Sequence, residues 1–167
     1  MTEDCLDAFT GAKYFSTLDL ESGCHQVAMD PIDANKTAFL RWKRIFRWKV
    51  MPFGLCNAPS TFERLMDIIL SGLNFEACLV YLDNITIFWK LWEQHLERLE
   101  WVFQLLRAAN LKLKPSKCHQ QRRTAGFLGH HVSRDGVAVD PAKVREVASW
   151  PIPNKLKDLR AFVGLCA

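Results

Sequence analysis

Hydrophobic and polar residues alternate along this chain with two different periods, which predicts strands interleaved with helices. Two apolar runs, 77–82 and 85–88, flank the pair Asp83-Asn84 and are rich in Val, Ile, Tyr and Phe, residue types that favour strands. Asp and Asn tolerate the positive φ that tight hairpin turns require. The pattern therefore predicts a β-hairpin whose two-residue turn, Asp83-Asn84, presents a carboxylate.

Other strands are predicted on both sides of this hairpin. Residues 14–20 form an apolar run with an acidic residue near its end, and residues 37–51 alternate loosely and include many aromatics. Residues 52–54 are a predicted turn, residues 111–113 a short strand, and residues 126–139 a third hairpin around an Arg-Asp-Gly turn. Most connections between strands are thus expected to be short hairpins.

Segments with a helical period fill the intervals between these strands. Ser60 and Glu63 match a capping box that starts a helix. The predicted apolar face of this helix comprises Phe62, Leu65, Met66, Ile69 and Leu73. The longest helix is predicted over residues 92–109. Its expected buried face consists of Trp92, Leu96, Leu99, Phe103 and Leu106.

Two more helices are predicted near the C-terminus, from Pro141 to about Ser149 and from about Leu156 onward. The last one is still running at Ala167, so we expect the chain to be a piece of a longer protein. Strands interleaved with helices and joined mostly by hairpins predict an α+β fold, with helices packed on one face of an antiparallel sheet.

The composition fits a globular domain inside the cell. Of the 167 residues, 49% are hydrophobic and 24% are charged, and 22 Lys and Arg against 18 Asp and Glu give a net charge of +4. This mild basic excess is compatible with nucleic-acid binding. No apolar run reaches the ~18 residues of a membrane span, and no secretory signal pattern opens the chain. We therefore expect an intracellular protein of the cytoplasm or nucleus, neither secreted nor associated with a membrane.

The six cysteines are scattered and include no C-x-x-C pair. Because the expected compartment is reducing, a disulfide framework is not indicated. Cys118-His119 and His130-His131 could be drawn together as a metal site, but their spacing matches no standard ligand pattern. Buried or incidental thiols are the simpler interpretation.

Two acidic residues are the strongest candidates for chemistry. Asp19 ends one apolar run and Asp83 follows another, where an isolated carboxylate is costly to bury unless a positive charge compensates it. Carboxylates that converge from different strands can hold the pair of Mg²⁺ ions used in phosphoryl transfer. Two unrelated turn aspartates would give the same spacing, and the residues alone leave both interpretations open.

A basic and aromatic segment occupies the predicted second hairpin. The run from Arg41 to Lys49 holds five cations and three aromatics. This composition suits phosphate contacts combined with base stacking. A hairpin with one solvated basic face would have a similar composition.

Seven segments, in order along the chain, carry a resemblance to a known family. They are residues 15–26 (FSTLDLESGCHQ), 36–39 (KTAF), 50–62 (VMPFGLCNAPSTF), 81–84 (YLDN), 111–118 (LKLKPSKC), 127–130 (FLGH) and 159–165 (LRAFVGL). Together they resemble the reverse transcriptase of gypsy-type LTR retrotransposon Pol polyproteins over nearly the whole chain. So many motifs in one order make a chance match negligible.

The resemblance implies an RNA-directed DNA polymerase that extends a primer with dNTPs on an RNA or DNA template, by nucleotidyl transfer with two Mg²⁺ or Mn²⁺ ions. It implies a palm with partial fingers over residues 1–139, including a fingers hairpin at about 30–52, and the start of a thumb over 140–167. The remaining Pol domains, ribonuclease H and integrase, would accompany it in a full polyprotein. The first part of the family's fingers is expected to lie upstream of this chain.

The family's functional positions are carried over to matching residues of this chain. Those implied to bind metal are Asp19, the carbonyl of Leu20 and Asp83, with Asn84 at the family's second turn aspartate. Those implied to line the incoming nucleotide are Cys24, Phe53 and Gly54. Those implied to contact template or primer are Arg41, Lys43, Arg44, Arg47, Phe127, Leu128 and Gly129.

Three residues depart from the family pattern. Asn84 replaces an aspartate, and an amide is a weaker, neutral ligand for a hard cation. Cys24 replaces an aromatic that packs under the sugar, so exclusion of ribonucleotides is expected to weaken. Arg44 replaces a turn glycine, which is expected to cost about 1 kcal/mol if the backbone there needs a positive φ.

Two hypotheses follow from the sequence. In the first, the chain is a reverse transcriptase domain whose activity is impaired by Asn84 and by the missing N-terminal fingers. In the second, it is a non-catalytic retroelement remnant that folds as a palm and binds nucleic acid or a partner.

Overall fold

The computed structural model describes residues 2–166. Its helices are α1 (Thr2–Ala8), α2 (Ala58–Ile69), α3 (Trp92–Ala108), α4 (Pro141–Ala148) and α5 (Leu156–Cys166). Its strands are β1 (Tyr14–Asp19), β2 (Phe39–Arg41), β3 (Arg44–Phe46), β4 (Cys78–Tyr81), β5 (Asn84–Trp89), β6 (His119–Arg122), β7 (Thr124–Phe127), β8 (His130–Ser133) and β9 (Gly136–Val139). Short 3-10 helices cover Gly23–Gln26, Ala34–Thr37 and Pro115–Lys117.

A four-stranded antiparallel sheet with the strand order β4-β5-β1-β6 forms the centre of the molecule. β5 pairs with β1 so that Asp19 lies opposite Asn84. On its other edge β5 pairs with β4 so that Tyr81 also lies opposite Asn84. Asp19, Asn84 and Tyr81 therefore form a row across one end of the sheet.

The main core lies between this sheet and the helices α2 and α3. From the two central strands, and from Leu20 just after β1, it receives alternate side chains that are at most 1% exposed, namely Leu18, Leu20, Ile85 and Ile87. From the helices it receives Phe62, Met66, Leu99, Val102 and Leu106. Burying these apolar faces against each other supplies most of the stabilisation of the fold. The predicted α+β architecture, with helices on one face of an antiparallel sheet, is confirmed.

A second, aromatic core lies on the opposite face of the sheet. Phe15 and Phe88 are cross-strand neighbours, and they pack there with Phe9 and with Phe127 of β7. The ring of Phe9 lies edge-to-face against both Phe88 and Phe127, at centroid distances of 4.8 and 5.2 Å. This core attaches a separate three-stranded sheet, β7-β8-β9, to the central one.

Two helix predictions are wrong in detail. α2 begins at Ala58, with Pro59 in its first turn, where the missing N–H is tolerated. The Ser60 hydroxyl donates to the Asn57 carbonyl, so the predicted capping box is absent. In α3 the buried residues are His95, Leu99, Val102 and Leu106, whereas Leu96 is 36% exposed. The buried face of α3 is rotated because a polar residue, His95, takes a core position.

Two strand predictions also change. Residues 111–113 contribute only an isolated bridge, in which Leu113 lies opposite Leu20. β8 and β9 form the predicted third hairpin, but its turn has two residues, because Ser133 pairs with Gly136. Within the described range, 2–166, no helix is both long enough and apolar enough to cross a membrane.

Candidate active site

Asp19, Asp83 and Asn84 meet at one end of the four-stranded sheet. Asp19 is the last residue of β1 and lies opposite Asn84, the first residue of β5. Because Tyr81 also pairs with Asn84, the two turn residues between β4 and β5 are Leu82 and Asp83. The predicted turn, Asp83-Asn84, is therefore wrong by one residue.

The positive φ of this turn falls on an unexpected residue. Leu82 has a φ of +50°, whereas Asp83 does not have a positive φ. A positive φ at only the first central position is the pattern of a type II′ turn. This conformation is unfavourable for a branched apolar residue, so composition favoured the Asp-Asn pair instead. The real geometry places the Asp83 carboxylate in the turn and the Asn84 amide in the strand.

Backbone hydrogen bonds fix the two aspartates relative to each other. The Leu20 N–H donates to the Asp83 carbonyl at 2.9 Å, and the Lys114 N–H donates to the Asp19 carbonyl at 2.8 Å. Asp19 is 9% exposed, and the side chain of Leu20 lies in the main core. The end of β1, the turn at Asp83 and the segment at Lys114 thus form one hydrogen-bonded frame.

The ionised form of the Asp83 carboxylate is disfavoured at this site. Burial raises the pKa of Asp83, the negative charge of Asp19 raises it further, and the positive charge of Lys117 opposes the change. The Lys117 Nζ lies 3.2 Å from Asp19 Oδ2. One ammonium group therefore compensates only part of the negative charge of two neighbouring carboxylates. Such a pair of carboxylates suits a divalent cation.

Position 84 determines how many acidic ligands this site offers. Among residues 2–166, no group of three or more His, Cys, Asp or Glu side chains is placed to hold a metal ion. The amide of Asn84 lies opposite Asp19, where an aspartate would add a third carboxylate. The same observation removes the alternative metal site at 118–119 and 130–131.

Lys117, Cys118 and Gly23 also belong to the site, although the sequence did not predict a role for them there. The Asp19 N–H donates to Cys118 Sγ at 3.4 Å. Gly23 lies so close to Asp83 that an added Cβ would be 2.5 Å from Oδ1. Lys117 and Cys118 lie within the segment LKLKPSKC, but their contact with Asp19 depends on how that segment runs past the end of β1.

Cys24, for which the resemblance implies a place in the nucleotide pocket, lies close enough to Asp83 to be affected by its charge. It is half-buried in the 3-10 helix Gly23–Gln26. Burial raises the pKa of its thiol, and the negative charge of Asp83 raises it further. The thiol is therefore a neutral, compact group on this side of the site.

Phe53 and Gly54 line a neighbouring cleft of about 360 Å³, together with Lys36. Phe53 is 61% exposed. Its ring centroid lies 4.6 Å from that of His25, which in turn stacks on Trp48 at 5.5 Å. Since His25 follows Cys24 in the chain, this aromatic stack connects the cleft to the carboxylate site.

A larger cleft, of about 600 Å³, begins beside Asn84 and extends between β1, β6 and β7. Its basic lining includes Lys117 and Arg122. At the far end, Leu128 and Gly129 form the two-residue turn between β7 and β8, with φ values of +48° and +76°. Phe127 is only 6% exposed and packs in the aromatic core, but it also lines this cleft, so its nucleic-acid contact stays a prediction.

The predicted basic hairpin consists of β2 and β3, and every residue of both strands is exposed. Its turn is Trp42-Lys43, with φ values of +52° and +61°, as in a type I′ turn. Arg44 is the first residue of β3 and lies opposite Arg41. The predicted strain at Arg44 is therefore wrong, and it falls on Trp42 and Lys43 instead.

This hairpin combines cations with exposed apolar surface. Leu40, Trp42 and Ile45 are 72%, 85% and 78% exposed. Arg47 is held close to the hairpin's base, where its Nη1 donates to Asn35 Oδ1 at 2.8 Å. Cations interleaved with exposed apolar and aromatic side chains suit contact with a nucleic-acid strand.

Comparison with known proteins identifies the family. Residues 1–132 match the family model described as reverse transcriptase (RNA-dependent DNA polymerase). The chain is 45% identical over 163 residues to the retrovirus-related Pol polyprotein from transposon 297 of Drosophila melanogaster. It is 35% identical over 156 residues to that from transposon gypsy of the same species. These matches cover 98% and 93% of this chain, which spans about 15% of the length of each polyprotein.

Solved structures share the fold. Two structures of foamy viral protease-reverse transcriptase, in complex with dsDNA and with an RNA/DNA hybrid, match with TM-scores of 0.90 and 0.87, each at 25% identity. Each match covers 99% of this chain, and 34% and 22% of the viral chains. By the family model, by its relatives and by its fold, this chain belongs to the reverse transcriptase (RNA-dependent DNA polymerase) family.

Proposed function

We propose that this chain provides the polymerase active site of a retrotransposon Pol polyprotein, which joins dNTPs to a primer 3′-hydroxyl on an RNA or DNA template. The observation that carries the proposal is the convergence of Asp19 and Asp83, fixed by the hydrogen bond from the Leu20 N–H to the Asp83 carbonyl. In this assignment residues 1–139 form the palm with part of the fingers, including the hairpin at about 30–52. Residues 140–167 begin the thumb.

In the proposed site the carboxylates of Asp19 and Asp83 and the carbonyl of Leu20 hold divalent cations, Mg²⁺ or Mn²⁺. When two such ions are bound, they activate the primer hydroxyl and stabilise charge on the α-phosphate and on the leaving pyrophosphate. The chain's own contribution is to present both carboxylates from a rigid sheet end. Lys117 favours the ionised, metal-binding form of Asp83, because its positive charge lowers that pKa.

Substrates are assigned to the two clefts on either side of the carboxylates. Cys24, Phe53 and Gly54 line the dNTP side, and the small thiol of Cys24 leaves room for a ribonucleotide sugar. The cleft of about 600 Å³, which is lined by Leu128 of the turn Leu128-Gly129, receives the primer strand. The solved relatives were in complex with dsDNA and an RNA/DNA hybrid, which supports a duplex as the ligand.

The basic hairpin is assigned to template contacts through Arg41, Lys43, Arg44 and Arg47. All four are exposed; the first three lie on the hairpin of β2 and β3, and Arg47 follows the end of β3. The other Pol domains, ribonuclease H and integrase, are proposed to accompany this domain, since the matched polyproteins are several times longer than this chain.

A second candidate function is a non-catalytic retroelement remnant that binds nucleic acid or a partner. Asn84 favours it, because the amide opposite Asp19 removes one charged ligand from the site. The fold does not depend on a carboxylate there, so a remnant would keep the same sheet and clefts.

Primer extension distinguishes the two functions. The 167-residue chain and its Asn84→Asp variant are compared on a primed RNA template with Mg²⁺ or Mn²⁺. We expect weak extension by the unmodified chain and a gain on the order of 10- to 100-fold in the variant, because a carboxylate restores a charged ligand. Asn154→Asp adds the same charge between α4 and α5 and is expected to change nothing.

Each outcome decides between the two candidates. If the unmodified chain extends the primer and Asp83→Ala abolishes this extension, the proposal of a non-catalytic remnant is contradicted. If neither the chain nor Asn84→Asp extends the primer, the polymerase proposal fails for this chain, and binding of the primed template is then the remaining function.

A further inference from the structure

We infer that Gly23 is a positioning residue for the Asp83 carboxylate, because its missing side chain leaves the space that Oδ1 occupies. The inference rests on the proposed function, in which Asp83 binds a metal ion. It extends that function to a residue outside the set of ligands.

The space beside Gly23 is already filled from two sides. A Cβ on this residue would lie 2.5 Å from Asp83 Oδ1 and 2.7 Å from Cζ of Phe62, distances that Cβ atoms do not adopt. Phe62 is 1% exposed and packs within the main core, so its ring has little freedom to move away. A side chain at position 23 would therefore displace the carboxylate.

Backbone conformation does not explain a glycine at this position. The left-handed conformation before the 3-10 helix is adopted by Ser22, with φ 52° and ψ 55°. Gly23 itself is not among the glycines with positive φ. An L-residue already occupies the unfavourable conformation, so the requirement at position 23 is for space.

The backbone of Asp83 cannot relieve such a clash by shifting. Its carbonyl accepts the Leu20 N–H at 2.9 Å, and the turn that holds it already has a positive φ at Leu82. A displaced Asp83 side chain must rotate about its own bonds instead. Rotation changes where Oδ1 lies relative to Asp19, and a metal ion shared by the two carboxylates is sensitive to that change.

Mn²⁺ binding, followed by electron paramagnetic resonance on the 167-residue chain, tests the inference. We expect Gly23→Ala to weaken Mn²⁺ affinity roughly 10- to 100-fold, the range found when groups that orient a ligand are altered, while circular dichroism keeps its shape. The matched control is Gly164→Ala, since an added Cβ there has no atom within 4 Å. Unchanged Mn²⁺ affinity in Gly23→Ala would overturn the inference.

A second measurement needs no metal. Thermal unfolding is compared for Gly23→Ala, Asp83→Ala and the double variant. If the alanine Cβ collides with Asp83, Gly23→Ala lowers the unfolding midpoint. This lowering must be smaller when Asp83 is also replaced by alanine, because the opposing oxygen is then gone. An equal lowering in both backgrounds refutes the inference. Absence of Mn²⁺ binding in the unmodified chain would contradict the proposed function, while this comparison still decides the role of Gly23.

Discussion

Two features of Asp83 and its turn lower the stability of the folded protein. Burial and the charge of Asp19 both raise its pKa, and Lys117 compensates only in part. The turn that presents it adds a positive φ at Leu82. At the scale of single residues, the neighbouring carboxylates that metal binding requires therefore lower the stability of the folded protein.

We predict that Asp83→Asn raises the midpoint of thermal unfolding at pH 7, because the neutral amide removes the cost of burying a charge and the repulsion from Asp19. The folded-state pKa of Asp83 is raised, so its destabilising effect grows as the pH rises above about 3.8 and is complete above the folded pKa. The gain from the amide should therefore shrink as the pH falls toward that value. Differential scanning calorimetry across this pH range measures it.

Divalent cations should reverse the order of the unfolding midpoints of the unmodified chain and Asp83→Asn. Mn²⁺ binds only the folded state with its carboxylates, so it should raise the unfolding midpoint of the unmodified chain and leave Asp83→Asn unchanged. Asp135→Asn, in the exposed turn between β8 and β9, is the matched control. A lower midpoint for Asp83→Asn at pH 7 without metal would show that other interactions of the carboxylate outweigh its repulsion from Asp19.

At the scale of elements, hydrophobic period and turn chemistry have different predictive power. The hairpin of β4 and β5 and the longest helix follow from apolar patterns, and both were predicted within a few residues. The turn at Leu82 was not, because pairing register rather than residue preference decides which residues form it. Likewise the buried face of α3 includes His95, since a hydrogen-bonding partner in β1 outweighs the polar character of the ring.

The basic hairpin is the element whose function is most open to measurement. Its strands and turn are exposed, and Lys43 and Arg44 lie at its tip. We predict that a primed template binds less tightly as salt rises, with a steep linear dependence of log affinity on log salt. Replacing both tip cations, Lys43→Gln with Arg44→Gln, should reduce that slope by about 1.8 on a duplex if each contacts a phosphate.

Fluorescence anisotropy across a salt series provides the slope. Lys90→Gln is the control, since Lys90 follows the end of β5 that lies away from Asp19 and packs against Gly11. An unchanged slope in the double variant would exclude phosphate contacts by the hairpin tip. A slope that falls equally in Lys90→Gln would indicate a nonspecific effect of net charge.

At the scale of the whole molecule, the central sheet is held by different chemistry on its two faces. One face packs against α2 and α3, and the other carries the aromatic core around Phe9. The α+β class was predictable because helix and strand periods are strong local signals. The second face was not, because the contacts of Phe9 and Phe127 join segments more than a hundred residues apart, which no local pattern encodes.

A buried polar network lies within the helical face and joins three elements. The Ser16 hydroxyl of β1 lies 2.8 Å from His95 Nε2 of α3, and the Gln121 N–H of β6 donates to the same hydroxyl at 3.0 Å. The Ser16 oxygen accepts from Gln121, and the direction of its hydrogen bond with Nε2 depends on the tautomer of the neutral ring. Burial lowers the pKa of His95, and the described residues supply no hydrogen-bond partner for its Nδ1.

This network predicts a loss of stability in mild acid. As the pH falls below about 6.5, the unfolded chain binds a proton at His95 while the folded protein, with its lowered pKa, does not. Unfolding free energy should therefore fall, by at most about 1.4 kcal/mol for each pH unit from this one group. His95→Gln keeps a side chain that can hydrogen-bond to Ser16 but cannot be protonated. Since the other histidines are common to both proteins, the difference between their urea-unfolding profiles from pH 7.5 to 5 isolates His95. Parallel profiles would show that protonation of His95 is not coupled to folding.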